Sequence, residues 1–179
     1  DSFKREVQKK LRGKDLGNKK QKALDKLEKF NIHSTLVATL ERGQNDDEIG
    51  SIIDFALGYR CLRGVTFQPT QFAGRVENFD PSKNKYTLTE VRQSILDQTD
   101  IFKENDIVPV PCNPDALAMA YALKLNNEVI PLTSMIDPDI FLNGTRNTIL
   151  LEQEKNLQCQ QQTIQEFYEL EKRNSSKCL

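Results

Sequence analysis

Two polar side chains stand where an apolar run stops, and their position gives them chemical interest. Arg42 follows the β-branched stretch Thr35-Leu36-Val37-Ala38-Thr39-Leu40, and Gln68 ends Gly64-Val65-Thr66-Phe67 just before Pro69. A guanidinium at a strand end can grip a carboxylate or phosphate through two parallel N–H donors. A carboxamide can both donate and accept a hydrogen bond there. The plainer assignment makes Arg42 a surface arginine paired with Asp46 or Asp47, and Gln68 a solvated strand terminus. Cys112 lies in the proline-framed segment Pro109-Val110-Pro111-Cys112, which suits a metal thiolate as well as a small buried hydrophobe. His33, the single histidine, rules out a multi-histidine metal site within this chain and reads as a structural residue. Asp46-Asp47-Glu48 is explained by the preference of acidic residues for the first turn of a helix.

These residues need elements to hold them. Residues 32–40 read as a strand. Asn45 and Glu48 then match the capping-box pattern, and Ile49, Ile52, Ile53, Ala56 and Leu57 keep one apolar helical face up to Gly58. The pattern predicts a helix from about Asp46 to Leu57. A second strand follows over Leu62–Pro69. Strand, helix and strand make a βαβ unit, whose strands are expected to be adjacent, parallel and joined right-handedly. In such units ligands gather at the C-terminal strand ends, which places Arg42 beside helix N–H groups at one sheet edge with Gln68.

Elsewhere the signals are coarser. Residues 3–12 are polar and rich in Lys and Arg, and a surface helix with one apolar stripe is predicted from Leu16 to Phe30, broken at Asn31. Residues 70–86 read as a polar loop. Thr87 with Glu90 repeats the capping box and opens a helix to about Gln98. Prolines hold residues 107–112 extended. Residues 116–125 and 128–133 read as a hairpin turning at Asn126-Asn127, or else as a short helix from Pro114 to Leu123 and a lone strand. From Thr148 to Arg173 a glutamine-rich helix with a thin apolar stripe is expected.

Twenty-five basic residues against 26 acidic ones leave no field to draw in nucleic acid. No apolar run spans a bilayer, and no signal peptide is visible. Cys61, Cys112, Cys159 and Cys178 are widely spaced, without a C-x-x-C pair, which points to free thiols in a reducing, cytoplasmic setting. A start at Asp1 rather than Met suggests a piece of a longer protein.

Arg42-Gly43-Gln44-Asn45-Asp46-Asp47-Glu48-Ile49 closely resembles the R-G-x-N-D-D-E-[IL] segment of radical S-adenosylmethionine enzymes, which joins the fifth barrel strand to its helix. Asp1-Ser2-Phe3 and Lys10-Leu11-Arg12-Gly13-Lys14-Asp15-Leu16 resemble the segment after the fourth strand, and Arg63-Gly64-Val65-Thr66-Phe67-Gln68-Pro69 the sixth. Pro109-Val110-Pro111-Cys112-Asn113-Pro114-Asp115, Leu117-Ala118-Met119-Ala120-Tyr121 and Val129-Ile130-Pro131-Leu132-Thr133 are similar to the tail of one branch, which includes tetraether lipid synthase and a methyltransferase of a dihydropterin precursor. The likeness covers residues 1–150 or so.

The resemblance implies an α/β fold, the C-terminal half of a partial TIM-like barrel over residues 1–105. It further implies a family-specific extension over 106–147 and a helical tail over 148–179. The intact protein would use a [4Fe–4S] cluster and an electron donor to cleave S-adenosylmethionine to a 5′-deoxyadenosyl radical, which takes hydrogen from a small-molecule or lipid substrate. Asp1, Ser2, Arg42 and Gln68 would face cofactor or substrate, and Cys112 would ligate iron. The family's C-x3-C-x2-C motif is nowhere in this sequence, so its ligands are expected upstream and the chain alone is expected to be inactive. The elements that hold the cofactor's methionine moiety are missing too, as is the second cysteine that branch members carry after the one matching Cys112. The rival reading is a non-catalytic α/β binding module that docks a partner through its C-terminal helix.

Overall fold

A computed structural model of the chain describes residues 1–75, 77, 79–110, 113–125 and 128–137. The lysine-rich start folds as two helices, α1 (Arg5–Arg12) and α2 (Gly17–Lys29). Gly13, at φ 74°, takes the left-handed conformation that ends α1 and lets its amide donate to the Lys9 carbonyl at 2.8 Å. Asn31, at φ 50°, turns the chain after α2 toward the first strand.

Strand β1 (Ser34–Leu40), helix α3 (Ile49–Leu57) and strand β2 (Leu62–Pro69) follow in order, and β1 and β2 pair in parallel as the apolar pattern predicts. Thr35, Val37 and Thr39 lie opposite Gly64, Thr66 and Gln68, while Leu36, Ala38 and Leu40 lie opposite Val65, Phe67 and Pro69. Because side chains alternate along a strand, these two sets occupy opposite faces. The apolar face is covered. Leu40 packs with Ile49 and Ile53 of α3, with Tyr86 and with Val91; Phe67 adds to the cluster. The other face is open, with Val37 48% exposed and Gln68 also exposed.

The helix between the strands begins three residues later than the sequence predicts. Asn45 and Glu48 do not cap it. Their side chains are committed to the strand end and to the start of the chain, and residues 42–47 form turns instead. The expected loop over 70–86 contains a single helical turn, α4 (Pro81–Asn84), where Asp80 accepts from the Ser82 amide and Pro81 supplies a preset φ. Helix α5 (Leu88–Gln98) begins as expected, with both arms of the Thr87–Glu90 capping box formed.

Beyond α5 the extended segment gives β3 (Val108–Pro109), antiparallel to β4 (Ala118–Met119), and β5 (Ala122–Leu125) pairs antiparallel with β6 (Glu128–Pro131). Leu125 lies opposite Glu128, as a two-residue hairpin turn requires. The hairpin's first strand is shorter than predicted, because residues 118–119 pair with β3 instead. The architecture is mixed α/β with three two-stranded sheets, and no closed barrel forms among the described residues. Asn126 and Asn127, at which the hairpin is expected to turn, Cys112 and the glutamine-rich segment lie outside them.

Candidate functional site

The C-terminal ends of β1 and β2 gather the polar groups of the chain's first half. Thr39 and Gln68 are register partners on the open face. Gln68 is exposed, and its side chain makes no hydrogen bond among the described residues. It is the strand-end group best placed to meet a ligand.

Asp1 sits against the same strand end, with its carboxylate only 1% exposed. Arg12 grips it with two N–H donors, at 3.0 and 2.7 Å, and reaches the Thr39 hydroxyl at 3.0 Å. Lys20 adds a contact at 2.6 Å, and the Thr39 amide a longer one at 3.3 Å. One carboxylate thus holds α1, α2 and β1 together, and its acceptor sites are filled. Ser2 is also buried and turned inward: its hydroxyl donates to Glu48 and accepts from the Lys4 amide at 2.9 Å.

Arg42 leaves the strand end toward the helices. Its Nε donates to the Lys85 carbonyl at 2.9 Å, its Nη2 to Glu90, and the guanidinium lies 5.7 Å from the centre of the Tyr86 ring. Arg42 thus pairs with the capping glutamate of α5, not with Asp46 or Asp47 as the plainer assignment expects. Nη1 makes no hydrogen bond among the described residues. Hydrogen bonds from Thr87 first, and then Arg42, pull the Glu90 carboxyl down to about 2. Burial pushes the Tyr86 hydroxyl up. Arg42 and Gln68 share the sheet's C-terminal end, while the Arg42 contacts lie on its helix-covered side.

Asn45 and Glu48 were the residues that sequence reasoning misplaced. The same Asn-x-x-Glu spacing serves a capping box and, here, a brace between turn and chain start. What separates the two is the need of the Thr39 and Asp1 carbonyls for donors, which no local pattern displays.

Among the described residues no group of three or more His, Cys, Asp or Glu side chains is arranged to hold a metal ion. Cys61 is buried, and burial together with Glu28 pushes its thiol up to about 11. The described residues therefore do not fit an iron–sulfur cluster. His33 meets Arg63 at 2.9 Å. No helix among the described residues is long and apolar enough to cross a membrane.

No protein-family model matches the chain. The 7,8-dihydro-6-hydroxymethylpterin dimethyltransferase of Methanocaldococcus jannaschii is 39% identical to it over 103 residues, which is 56% of this chain and 20% of that enzyme. The chain thus spans about a fifth of the length of the curated relative it matches.

Proposed function

We propose that this chain is part of a radical S-adenosylmethionine enzyme, a transferase acting on a small pterin-like molecule. The observation that carries the reading is the identity with the pterin dimethyltransferase, a degree of likeness that chance does not produce over such a length. The parallel β1–α3–β2 unit supports it, since one face is covered by helices and the other is polar and open at the strand ends. Residues 1–105 would be the C-terminal part of a partial barrel whose open face turns toward the ligand, with 106–147 an extension and 148–179 a helical tail.

Within that reading the chain's own residues have distinct tasks. Gln68 offers an unengaged carboxamide to the ligand. Arg42 keeps Nη1 for an anionic group while its other nitrogens fix its position. Asp1 and Ser2 border the cofactor through the segment they form, their side chains being spent on holding that segment. Cys112 is the candidate iron ligand of the extension. The primary cluster would be ligated outside the described residues, and a separate electron donor would reduce it.

The complete gene product, purified without oxygen, should carry iron and acid-labile sulfide. With S-adenosylmethionine and dithionite it should release 5′-deoxyadenosine. A complete product that binds neither iron nor S-adenosylmethionine would sink the proposal.

A further inference from the structure

Asn45 has no exposed surface, and both polar atoms of its amide are hydrogen-bonded. Its Oδ1 accepts the Glu41 amide at 2.9 Å, and its Nδ2 donates to the Thr39 carbonyl at 2.8 Å and the Asp1 carbonyl at 2.6 Å. Three residues further on, Glu48 accepts the Ser2 hydroxyl with one carboxyl oxygen and the Phe3 amide with the other, the latter at 2.9 Å. The two side chains thus meet consecutive backbone and side-chain groups of residues 1–3, more than 40 positions away in sequence. Phe3 packs edge-on against Phe55 of α3, with ring centres 5.3 Å apart, and closes the joint on its apolar side. Neither side chain caps α3, so capping does not account for their burial. Burial of an amide and a carboxyl is costly without pairing; here the Glu48 carboxyl pairs with residues 2 and 3, and the Asn45 amide ties Asp1 to Thr39 and Glu41 at the strand end.

We infer that Asn45 and Glu48 are positioning residues: they fix the segment Asp1-Ser2-Phe3 at the C-terminal end of β1, and thereby set the wall of the ligand site. The brace itself stands on geometry. Its consequence for a ligand rests on the proposed function. The turn between β1 and α3 then acts on the site through the chain start rather than by touching a ligand. Lys4 extends the joint at the surface, pairing with Asp47 at 2.6 Å and reaching the Gln44 carbonyl at 3.1 Å.

The test uses the complete protein and S-adenosylhomocysteine as the probe, with titration calorimetry for affinity and hydrogen exchange resolved at the Phe3 and Lys4 amides. Glu48→Ala should weaken binding about tenfold or more and speed exchange at those two amides, while the amides of α5 keep their rates. Glu48→Gln keeps an acceptor for the Phe3 amide and should retain most of the affinity, a rescue that loss of packing alone would not give. Asn45→Asp, equal in size, sets an oxygen against two carbonyls and should behave like Glu48→Ala. If Glu48→Ala does not fold, Glu48→Asp serves, since its shorter side chain cannot meet both partners; its affinity should fall and the two amides should exchange faster. Folded variants that bind as tightly as the wild type, or that leave both amides protected, overturn the inference. A wild-type protein that binds no S-adenosylhomocysteine overturns the proposed function instead, and amide exchange alone then decides the brace.

Discussion

Replacing Arg42 by alanine removes a hydrogen bond to the Lys85 carbonyl, an ion pair with Glu90 and a cation over the Tyr86 ring. The pair is partly exposed, so the expected loss of stability is modest, about 1–2 kcal/mol with the ring contact included. Arg42→Lys should recover only part of it, because an ammonium cannot serve two divergent acceptors with a fixed fork. Measured side by side, unfolding midpoints and 5′-deoxyadenosine release separate the structural task from the proposed ligand contact. Release that scales only with the folded fraction would retire Arg42 as a site residue. Gln68 gives the complementary case. It is exposed and unengaged, so Gln68→Ala should leave stability within about 0.5 kcal/mol while weakening S-adenosylhomocysteine binding or turnover. Unchanged binding and turnover would remove it from the site. At this scale the sequence was half legible. A strand followed at once by Arg-Gly marks Arg42 and its end of the sheet. It does not disclose that Glu90, 48 positions on, is the partner, because that pairing exists only once α5 packs beside the strand.

The Thr87–Glu90 box joins residue chemistry to an element's stability. Glu90 is held well below the 4.5 usual for a glutamate, at about 2. A carboxyl lowered by folding stabilises the fold fully above its unfolded value, and that contribution drains away as pH falls toward 2. Acid unfolding of the wild type should therefore steepen between about pH 4.5 and 2, and Glu90→Gln should flatten that limb while lowering stability at neutral pH. A variant that loses stability equally at pH 7 and pH 3 would contradict the assignment. Helix α3 has a vulnerable point of its own at Gly50. A Cβ there would stand 2.4 Å from the Gln98 carbonyl oxygen and 2.9 Å from Gln98 Cβ, and the Gly50 amide already donates to the Gln98 side chain at 3.1 Å. Gly50→Ala should push α3 and α5 apart and cost about 1–3 kcal/mol, read as a drop in unfolding midpoint. The elements with repeated local signals were legible: the two parallel strands, the apolar stripe of α3 and the box that opens α5. The start of α3 was not. Asn45 and Glu48 satisfy the local rule for a cap, and a tertiary demand from Asp1, Ser2 and Thr39 outbids it. In the same way residues 116–125 alternate like one strand, yet β3 takes Ala118–Met119 and leaves Ala122–Leu125 to β6.

Across the whole molecule, the β1–β2 sheet has helices on one face, an open second face and two strands, with neither edge paired among the described residues. Parallel strands are normally buried on both faces and within a larger sheet. An edge left unpaired is a template for another chain. Large apolar side chains are exposed nearby and along the extension: Val37 on the open face, Leu123 and Leu125 on the hairpin, and Met135 at 63% beyond it. These exposures and the unpaired edges suit a sheet that continues into more strands, as the proposed partial barrel requires. The 179-residue polypeptide produced by itself should therefore self-associate, with a sedimentation coefficient that rises with concentration and a broad, poorly cooperative thermal transition. Co-expression with the remainder of the gene product should suppress both. The opposing idea, a self-sufficient α/β module, predicts a monomer with one sharp transition from the same polypeptide. Observing that monomer would mean the open face and free edges are tolerated as they stand, and the proposal that the sheet is part of a barrel would fall with it.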